Sequence, residues 1–390
     1  PQCVIDAVSS YYLRRNANRG GGFLTSDRTD ETVAAARAAM ADLLNAPEPQ
    51  NIVFGANMTS LAFHLARSIS DIIRPGDEVV VTDLDHDANV APWTDLAAAG
   101  AVIRPVAIQV PECVIDMDSF RRSLSERTRL VAIPYASNAA GTICDVKEMT
   151  RLAKQAGALV FVDAVQYAPH GPIDVQEIGC DFLACSSYKF FGPHAGALFG
   201  AAEPLTRLKP HKVRPASNRI PDCWETGTQN HEGLAGIEAA VGYLESVGRR
   251  FGAAHLNEYA GFTGRRRTLK AAMKCISDYE ATLSRALLSC IQALPGARVY
   301  GITDVSRLGR RVPTVSFTWP AMSPAQTARY LAGMGIFCWT GNMYALRLTE
   351  RLGLEQSGGL IRIGLAHYNT LSEIDSLARA LTAAARAASR

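Results

Sequence analysis

Short, uninterrupted apolar runs alternate with helix-forming segments through the first half of the chain. Residues 79–82, 130–134 and 158–162 are such runs, and strands that are buried on both faces have this composition. The helix-forming segment 149–155 lies between two of them, and Asp30 is the predicted N-cap of an earlier helix. This alternation predicts an α/β fold in which helices cover a mostly parallel sheet.

The second half of the chain has a different pattern. From about residue 234 it is mainly helical, and strands are predicted at 312–317 and 361–365 with few parallel crossovers. A chain of 390 residues is long enough for about two to three domains. We therefore predict a large domain and a smaller C-terminal α/β domain. The predicted boundaries are 1–15 for an N-terminal segment, truncated at Pro1, that packs with the small domain, 16–260 for the large domain and 261–390 for the small domain.

The composition argues against nucleic-acid and membrane partners. The net charge is only +3, with 20% charged and 48% hydrophobic residues, so the chain can bury a large core and carries no marked excess of positive charge. No apolar run approaches the ~20 residues that cross a bilayer, and no signal peptide is visible. Nine cysteines are dispersed without paired or metal-like spacing, which predicts reduced thiols in the cytoplasm and no metal site.

Lys189 is the residue that most directly suggests chemistry. The strand-like run 181–185 leads through two serines to Lys189, and a Gly-Pro pair then turns the chain. This order places a primary amine at the carboxyl end of a buried strand, beside hydroxyls suited to an anion. Such a lysine can form a Schiff base with an aldehyde cofactor. The alternative is an ordinary surface lysine in a loop.

Other polar residues also fall at the ends of predicted strands. In an open parallel sheet, ligands bind beyond the carboxyl ends of the strands. The candidate groups at this edge are Thr59, His86, Asn138, Asp163 and Lys189. Their repeated occurrence at one edge favours a functional site over a set of unrelated structural roles.

Each of these residues also has alternative interpretations. Asp163 can hold a pyridine nitrogen in its protonated form, or it can cap a helix or a turn. Thr59 and Ser60 open a helix whose free N–H groups attract phosphate, or they simply cap that helix. His86 lies among carboxylates in 83–89, where it can stack on a ring, occupy the core or, as the least favoured alternative, bind a metal.

Several longer motifs extend over the chain. They occupy 85–93, 137–142, 162–166, 186–189 and 225–228, together with Arg362 and 368–370. Together they resemble the class V aminotransferases, which are enzymes of pyridoxal 5'-phosphate (PLP) fold type I. The resemblance is strongest to the cysteine desulfurase-like branch of that family, including its actinobacterial and mycobacterial members, and it spans nearly the whole chain.

The resemblance implies a homodimeric enzyme that uses PLP and acts on an amino acid. Lys189 would form the Schiff base and move the substrate Cα proton, and Asp163 would pair with the pyridine nitrogen. Arg362 would clamp the substrate carboxylate through two hydrogen bonds. The other implied roles are His86 stacked on the ring as a third catalytic residue, Gln166 at the phenolic oxygen, Asn138 near the substrate or that oxygen, Met58 (through its backbone), Thr59, Ser186 and Tyr188 at the phosphate, and Thr228 reaching the phosphate of the other subunit.

The sequence departs from the desulfurase pattern in two places. Desulfurases have a phosphate-binding histidine before the lysine, where this chain has Tyr188. They also carry a nucleophilic cysteine on a mobile loop, in a run reading Arg-Thr-Gly-His-His-Cys-Ala. The matching run is 339–345, in which Tyr344 stands at the cysteine position and Trp339 at the arginine position. A tyrosine cannot accept sulfur as a persulfide, and nearby Cys338 is outside the motif position, which favours a buried hydrophobic role.

The predicted function is therefore that of a PLP-dependent transferase, with class V aminotransferase as the leading reaction. Cysteine desulfurase, β-elimination and epimerase reactions stay open, because all of them begin with the same steps. A PLP-binding regulatory protein is the non-enzyme alternative. It is disfavoured because a pure binder needs neither a proton shuttle nor a carboxylate clamp.

Overall fold

The computed structural model describes residues 1–388 as a large sheet, a small sheet and a short hairpin, with helices packed around them. The helices are α1 (Gln2–Arg14), α2 (Leu24–Leu44), α3 (Met58–Ser70), α4 (Ala91–Thr94), α5 (Met117–Arg122), α6 (Val146–Gln155), α7 (Val175–Ile178), α8 (Ala202–Arg207), α9 (His231–Phe251), α10 (Gly264–Gln292), α11 (Pro324–Ala332), α12 (Leu346–Arg351) and α13 (Leu371–Ala388). The strands are β1 (Ile52–Gly55), β2 (Glu78–Thr82), β3 (Val102–Val106), β4 (Ile108–Gln109), β5 (Val114–Ile115), β6 (Thr128–Pro134), β7 (Leu159–Asp163), β8 (Phe182–Ser186), β9 (Gly196–Gly200), β10 (Arg298–Tyr300), β11 (Thr314–Thr318), β12 (Trp339–Gly341) and β13 (Leu360–Gly364). None of the helices in this part of the chain is long and apolar enough to cross a membrane.

The large sheet has the strand order β1-β9-β8-β7-β6-β2-β3. Strand β9 runs antiparallel to both of its neighbours, and the other pairs are parallel, so the predicted mostly parallel sheet is confirmed. Successive residues of β2 pack into different core clusters, with Val80 in one and Val79 and Val81 in the other. Both faces of the sheet are therefore buried, which explains the uninterrupted apolar runs.

The C-terminal part of the chain forms a four-stranded antiparallel sheet with the order β10-β11-β13-β12. Its core contains Val315 and Phe317 from β11, Ile361 from β13 and Leu377 from α13. Helix α10 packs against α9 at one part of its length and against β11 and α13 at another. It thereby connects the large sheet's helical layer to the small sheet.

The N-terminal helices differ in detail from the prediction. Helix α2 begins at Leu24, so Asp30 lies inside it and is not its N-cap. The helix starts earlier because buried side chains in its first turns bond to the preceding segment, as Ser26 Oγ does to the carbonyl of Asn18 at 2.7 Å. Asp30 instead accepts a hydrogen bond from Arg19 Nε at 2.8 Å. Helix α1 packs against α9, and α9 lies within the range predicted for the large domain.

Candidate active site

A cavity of about 1190 Å³ lies at the carboxyl edge of the parallel strands. Segments that follow β2, β6, β7 and β8 line one side of it, and β12, β13 and the chain between β12 and α12 line the other. The predicted site residues in its wall are Met58, Thr59, His86, Asn138, Asp163, Gln166, Ser186, Tyr188, Lys189 and Arg362. Thr228 is exposed and does not line this cavity.

Lys189 reaches the cavity from a tight turn that follows β8. The 3₁₀ turn Ser187–Phe190 comes directly after the strand, and Phe191 ends it in the left-handed region with a φ of 74°. The buried Ser187 hydroxyl donates to the carbonyl of Pro193 and so ties the turn together. Burial lowers the pKa of the Lys189 ammonium, and the charge of Arg362 lowers it further, against the opposing effect of Asp163. A lysine with a lowered pKa is more often the neutral amine that attacks an aldehyde.

Asp163 is the last residue of β7 and is almost completely buried, with 7% of its surface exposed. Its Oδ1 accepts a hydrogen bond from the backbone N–H of Val165 at 2.9 Å. Burial raises its pKa to about 6, although that hydrogen bond and the charge of Lys189 act in the opposite direction. A cationic group inside the cavity would offset the free-energy cost of burying the negative charge of Asp163. The Asp163 carboxylate is therefore suited to face such a group.

The N-terminus of α3 lies at one edge of the cavity. Asn57 caps the helix by accepting from the N–H of Ser60 at 2.8 Å, and the N–H of Met58 donates to Ser186 Oγ at 3.2 Å. Thr59 is exposed at the second helical position. Gly196 on β9 is required here, because a Cβ at that position would lie 2.5 Å from the backbone of Asn57. The first-turn N–H groups and the helix dipole favour a phosphate group at this place.

His86 presents a neutral, flat ring to the cavity. Its Nδ1 accepts a hydrogen bond from the N–H of Ala88 at 3.0 Å, so the proton of the neutral ring is on Nε2. Burial lowers the pKa of His86 to about 4, and the charges of Lys189 and Arg362 add to this effect. The ring stacks on Tyr344 at 5.5 Å between centroids and 22° between planes. His86 is therefore a stacking group and not a cation near neutral pH.

Arg362 and Asn138 join the two sides of the cavity. Arg362 Nη1 donates to the carbonyl of Asn138 at 2.8 Å, and Asn138 Nδ2 donates to the carbonyl of Met343 at 2.8 Å. Asn138 Oδ1 is buried without a hydrogen-bond partner in the described chain, and a buried acceptor in that state is suited to a donor group on a ligand. The guanidinium retains further N–H groups, which can hold a carboxylate.

The cavity wall contains residues that the sequence analysis did not identify, and Gln166 makes a hydrogen bond that it did not predict. Gln166 Nε2 donates to Thr314 Oγ1 at 3.1 Å, so one of its two amide protons holds β11 and the other is left for a ligand. His194 lines the cavity and stacks on Tyr188 at 4.9 Å and 18°. The signal that identifies it is its place in the same loop as Lys189. Trp339 and Glu355 also line the cavity.

Within residues 1–388, no cysteine lines the cavity. Cys338 directly precedes Trp339, whose side chain does line it, and successive side chains of an extended segment point to opposite faces. Cys338 instead packs against the core of the small sheet, and burial raises the pKa of its thiol. The thiol is therefore poorly placed to act as a nucleophile.

Comparison with known proteins places this site in a family. The family model described as "Aminotransferase class-V" matches residues 1–263 and 250–377. The chain belongs to the class V aminotransferases. This membership confirms the expected family and does not select the reaction.

Curated relatives indicate the branch of the family. The chain is 31% identical to a cysteine desulfurase of Synechococcus elongatus over 98% of its own length and 58% of that protein's. It is 32% identical to an aminotransferase-like protein of Gibberella zeae, over 97% of its own length and 89% of that protein's. The chain therefore spans little more than half the length of the Synechococcus relative, and it spans 53% of a probable cysteine desulfurase of Mycolicibacterium paratuberculosis.

Solved structures agree with this assignment. The apo cysteine desulfurase of Thermococcus onnurineus superposes with a TM-score of 0.87 at 25% identity, covering 99% of this chain and 92% of that one. A cysteine desulfurase of Escherichia coli gives a TM-score of 0.81 at 26% identity, covering 98% and 91%. The fold is thus that of the desulfurase-like branch of PLP fold type I.

Proposed function

We propose that this protein binds PLP covalently through Lys189 and catalyses transamination of an amino acid. The observation that carries the proposal is the meeting of three groups in one cavity: the Lys189 amine, the Asp163 carboxylate and the Arg362 guanidinium. Each of them suits a different part of a PLP–amino acid pair, namely the aldehyde, the ring nitrogen and the substrate carboxylate.

The residues present fit the cofactor. The N-terminus of α3 with Ser186 suits its phosphate, buried Asp163 suits its protonated ring nitrogen, and His86 offers a flat, uncharged face. When bound, PLP supplies a ring that accepts electrons from the substrate Cα. The Lys189 amine would take the Cα proton, and its lowered pKa suits it to that transfer.

Arg362 is expected to hold the substrate carboxylate. Replacing it by lysine keeps a positive charge but removes the planar pair of donors. Because a hydrogen bond to a charged group contributes about 1.5–3 kcal/mol, we expect Arg362→Lys to raise KM by roughly 10- to 100-fold with a smaller change in kcat. Steady-state kinetics with a reactive amino acid measures both constants. Arg329→Lys, on exposed α11, is the matched control, and an unchanged KM in Arg362→Lys would remove the clamp from the proposal.

Cysteine desulfurase is the second candidate function, because several relatives carry that name. Two features oppose it: Tyr344 stands at the position of the nucleophile, and Cys338 faces the small-sheet core. With cysteine as substrate, we expect little alanine formation and no effect of Cys338→Ala. Sulfide, alanine and pyruvate are assayed separately, since pyruvate with sulfide marks β-elimination. Alanine formation that is lost in Cys338→Ala would establish the desulfurase reaction and overturn our preference.

The same screen addresses the remaining alternatives. Incubation with each amino acid and an oxo-acid acceptor detects transamination as a new amino acid, and chiral analysis of the recovered substrate detects epimerisation. A regulatory PLP-binding protein would bind the cofactor and give none of these products. The Arg362 clamp beside Lys189 supports turnover, because a protein that only binds PLP needs no site for a second carboxylate.

We propose further that the enzyme is a homodimer in which Thr228 reaches the phosphate of the other subunit. Thr228 is exposed and follows Gly227, which adopts the left-handed region with a φ of 72°. Sedimentation of the purified protein tests the assembly, and a monomer that retains full activity would contradict it. The free state of the nine cysteines supports the further proposal of a reducing, cytoplasmic location.

A further inference from the structure

We infer that the amino-acid substrate has a flat aromatic side chain that stacks against Trp339 and Tyr344. This inference rests on the proposed function and adds the substrate class to it. Trp339, Tyr344 and Tyr188 all line the cavity, yet 68%, 73% and 41% of their surfaces are exposed. Aromatic rings that line a cavity and are left uncovered by the protein offer their faces to a ligand.

Trp339 lies beside the carboxylate clamp. Strands β12 and β13 are antiparallel, and Trp339 is directly opposite Arg362 in their register. Residues opposite each other in an antiparallel pair point to the same face of the sheet, with Cβ atoms about 4.5–5.5 Å apart. An amino acid whose carboxylate is held by Arg362 therefore lies next to the indole ring.

The Tyr344 segment is held in place by its backbone. Its carbonyl accepts from the N–H of Asp87 at 2.7 Å, and its N–H donates to Asn342 Oδ1 at 3.0 Å. Met343 and Tyr344 both adopt the left-handed region, with φ values of 51° and 59°. Large side chains rarely adopt it, so the surrounding contacts hold this segment in one shape. Because its ring also stacks on His86, Tyr344 has a fixed position in the cavity wall.

The charged groups in the cavity wall select against substrates that have a charged side chain. Among residues 1–388, the lysine and arginine side chains in its wall are Lys189 and Arg362, and the proposed function uses both. An acidic substrate side chain would therefore lack a cationic partner. The remaining carboxylate besides Asp163 is Glu355, which accepts from the Thr349 hydroxyl and is thereby engaged within the protein. The exposed rings therefore favour an uncharged side chain that can stack on them.

The test uses carboxylates without an amine, so that binding requires no reaction with the cofactor. 3-Phenylpropionate, 4-methylpentanoate and glutarate are titrated into the PLP-saturated protein by calorimetry. We expect 3-phenylpropionate to bind at least about 10-fold more tightly than either of the others. Trp339→Leu and Tyr344→Leu keep apolar volume but remove the aromatic faces, and each should reduce this preference to about 3-fold or less. Phe337→Leu is the matched control, because Phe337 is 86% exposed and lies outside the cavity wall.

Two outcomes overturn the inference: tighter binding of glutarate or 4-methylpentanoate, or a preference that survives both leucine variants. An initial-rate screen then separates this inference from the proposed function. Lys189-dependent turnover that favours glutamate over phenylalanine would overturn the aromatic class alone. Selective binding of 3-phenylpropionate without turnover of any amino acid would support the aromatic site and contradict the transaminase proposal.

Discussion

Replacing Lys189 by alanine is expected to reduce turnover by at least ~10³-fold and to remove the Schiff-base absorbance band of the PLP-saturated protein. Lys189 is the one lysine in the cavity wall among residues 1–388, so no neighbouring amine can take over its covalent link or its proton transfer. The wall otherwise keeps Asp163, His86 and Arg362, so PLP and substrate should still bind. The loss should therefore fall mainly on kcat.

Visible absorbance and single-turnover rates measure both effects, and Lys147→Ala is the matched control. Lys147 is an exposed lysine on α6 that pairs with Glu177 at 2.8 Å, away from the cavity wall. The control should retain its colour and rate. Turnover in Lys189→Ala within about 10-fold of the parent protein, with unchanged thermal unfolding, would show that the amine does not carry the reaction.

The change Asp163→Asn is expected to stabilise the cofactor-free protein at pH 8 and to leave its stability unchanged below pH ~3.8. Burial raises the pKa of Asp163 to about 6 from its usual value of 3.8. That difference corresponds to about 3 kcal/mol of unfolding free energy. Asparagine retains an oxygen that can accept from the N–H of Val165, so the substitution removes the charge with little change in shape.

The pH dependence of this stability difference follows from which state of the chain binds the proton. Below pH 3.8 the carboxyl group of Asp163 is protonated in both the folded and the unfolded chain, so it resembles the neutral amide. Between pH 3.8 and the folded pKa of about 6, the unfolded chain loses this proton while the folded chain keeps it. The parent protein therefore loses stability across this window and reaches a constant deficit above pH 6, whereas the variant does not change.

Denaturant unfolding of the two cofactor-free proteins from pH 3.5 to 8 measures this difference. Asp181→Asn is the control, because buried Asp181 pairs with Lys154 at 2.8 Å and its replacement should destabilise the protein. With PLP bound, the protonated ring nitrogen would pair with the Asp163 carboxylate, so the stability advantage of Asp163→Asn should disappear. Turnover of the variant should fall by about 10²- to 10³-fold. A variant that is less stable than the parent at pH 8 without PLP would contradict this account.

The sequence predicts the parts of the fold and site that depend on local pattern. Asp163 and Lys189 are found at one edge because parallel strands place their carboxyl ends together. The apolar strands are predictable because both faces of the large sheet are buried. Family resemblance adds Gln166 and Arg362, and both lie in the cavity wall as expected. The roles of these two residues and of Thr228 stay predictions.

Features that depend on tertiary contacts are not predictable in the same way. The antiparallel direction of β9 leaves no mark in a short apolar run with glycine at both ends. Strand β12 has three residues, and only its pairing with β13 brings Trp339 beside Arg362. The early start of α2 depends on hydrogen bonds to the preceding segment. Because these bonds leave no local pattern in the sequence, the N-cap was wrongly predicted at Asp30.

The position of the covalent link to PLP shows directly whether Lys189 carries the cofactor. Borohydride reduction of the PLP-saturated protein fixes the link as a stable secondary amine, and peptide mass spectrometry then identifies the modified lysine. We predict one pyridoxyl group per chain on Lys189, and none in Lys189→Ala. Modification of a different lysine, or no modification at saturating PLP, would show that Lys189 does not carry the cofactor.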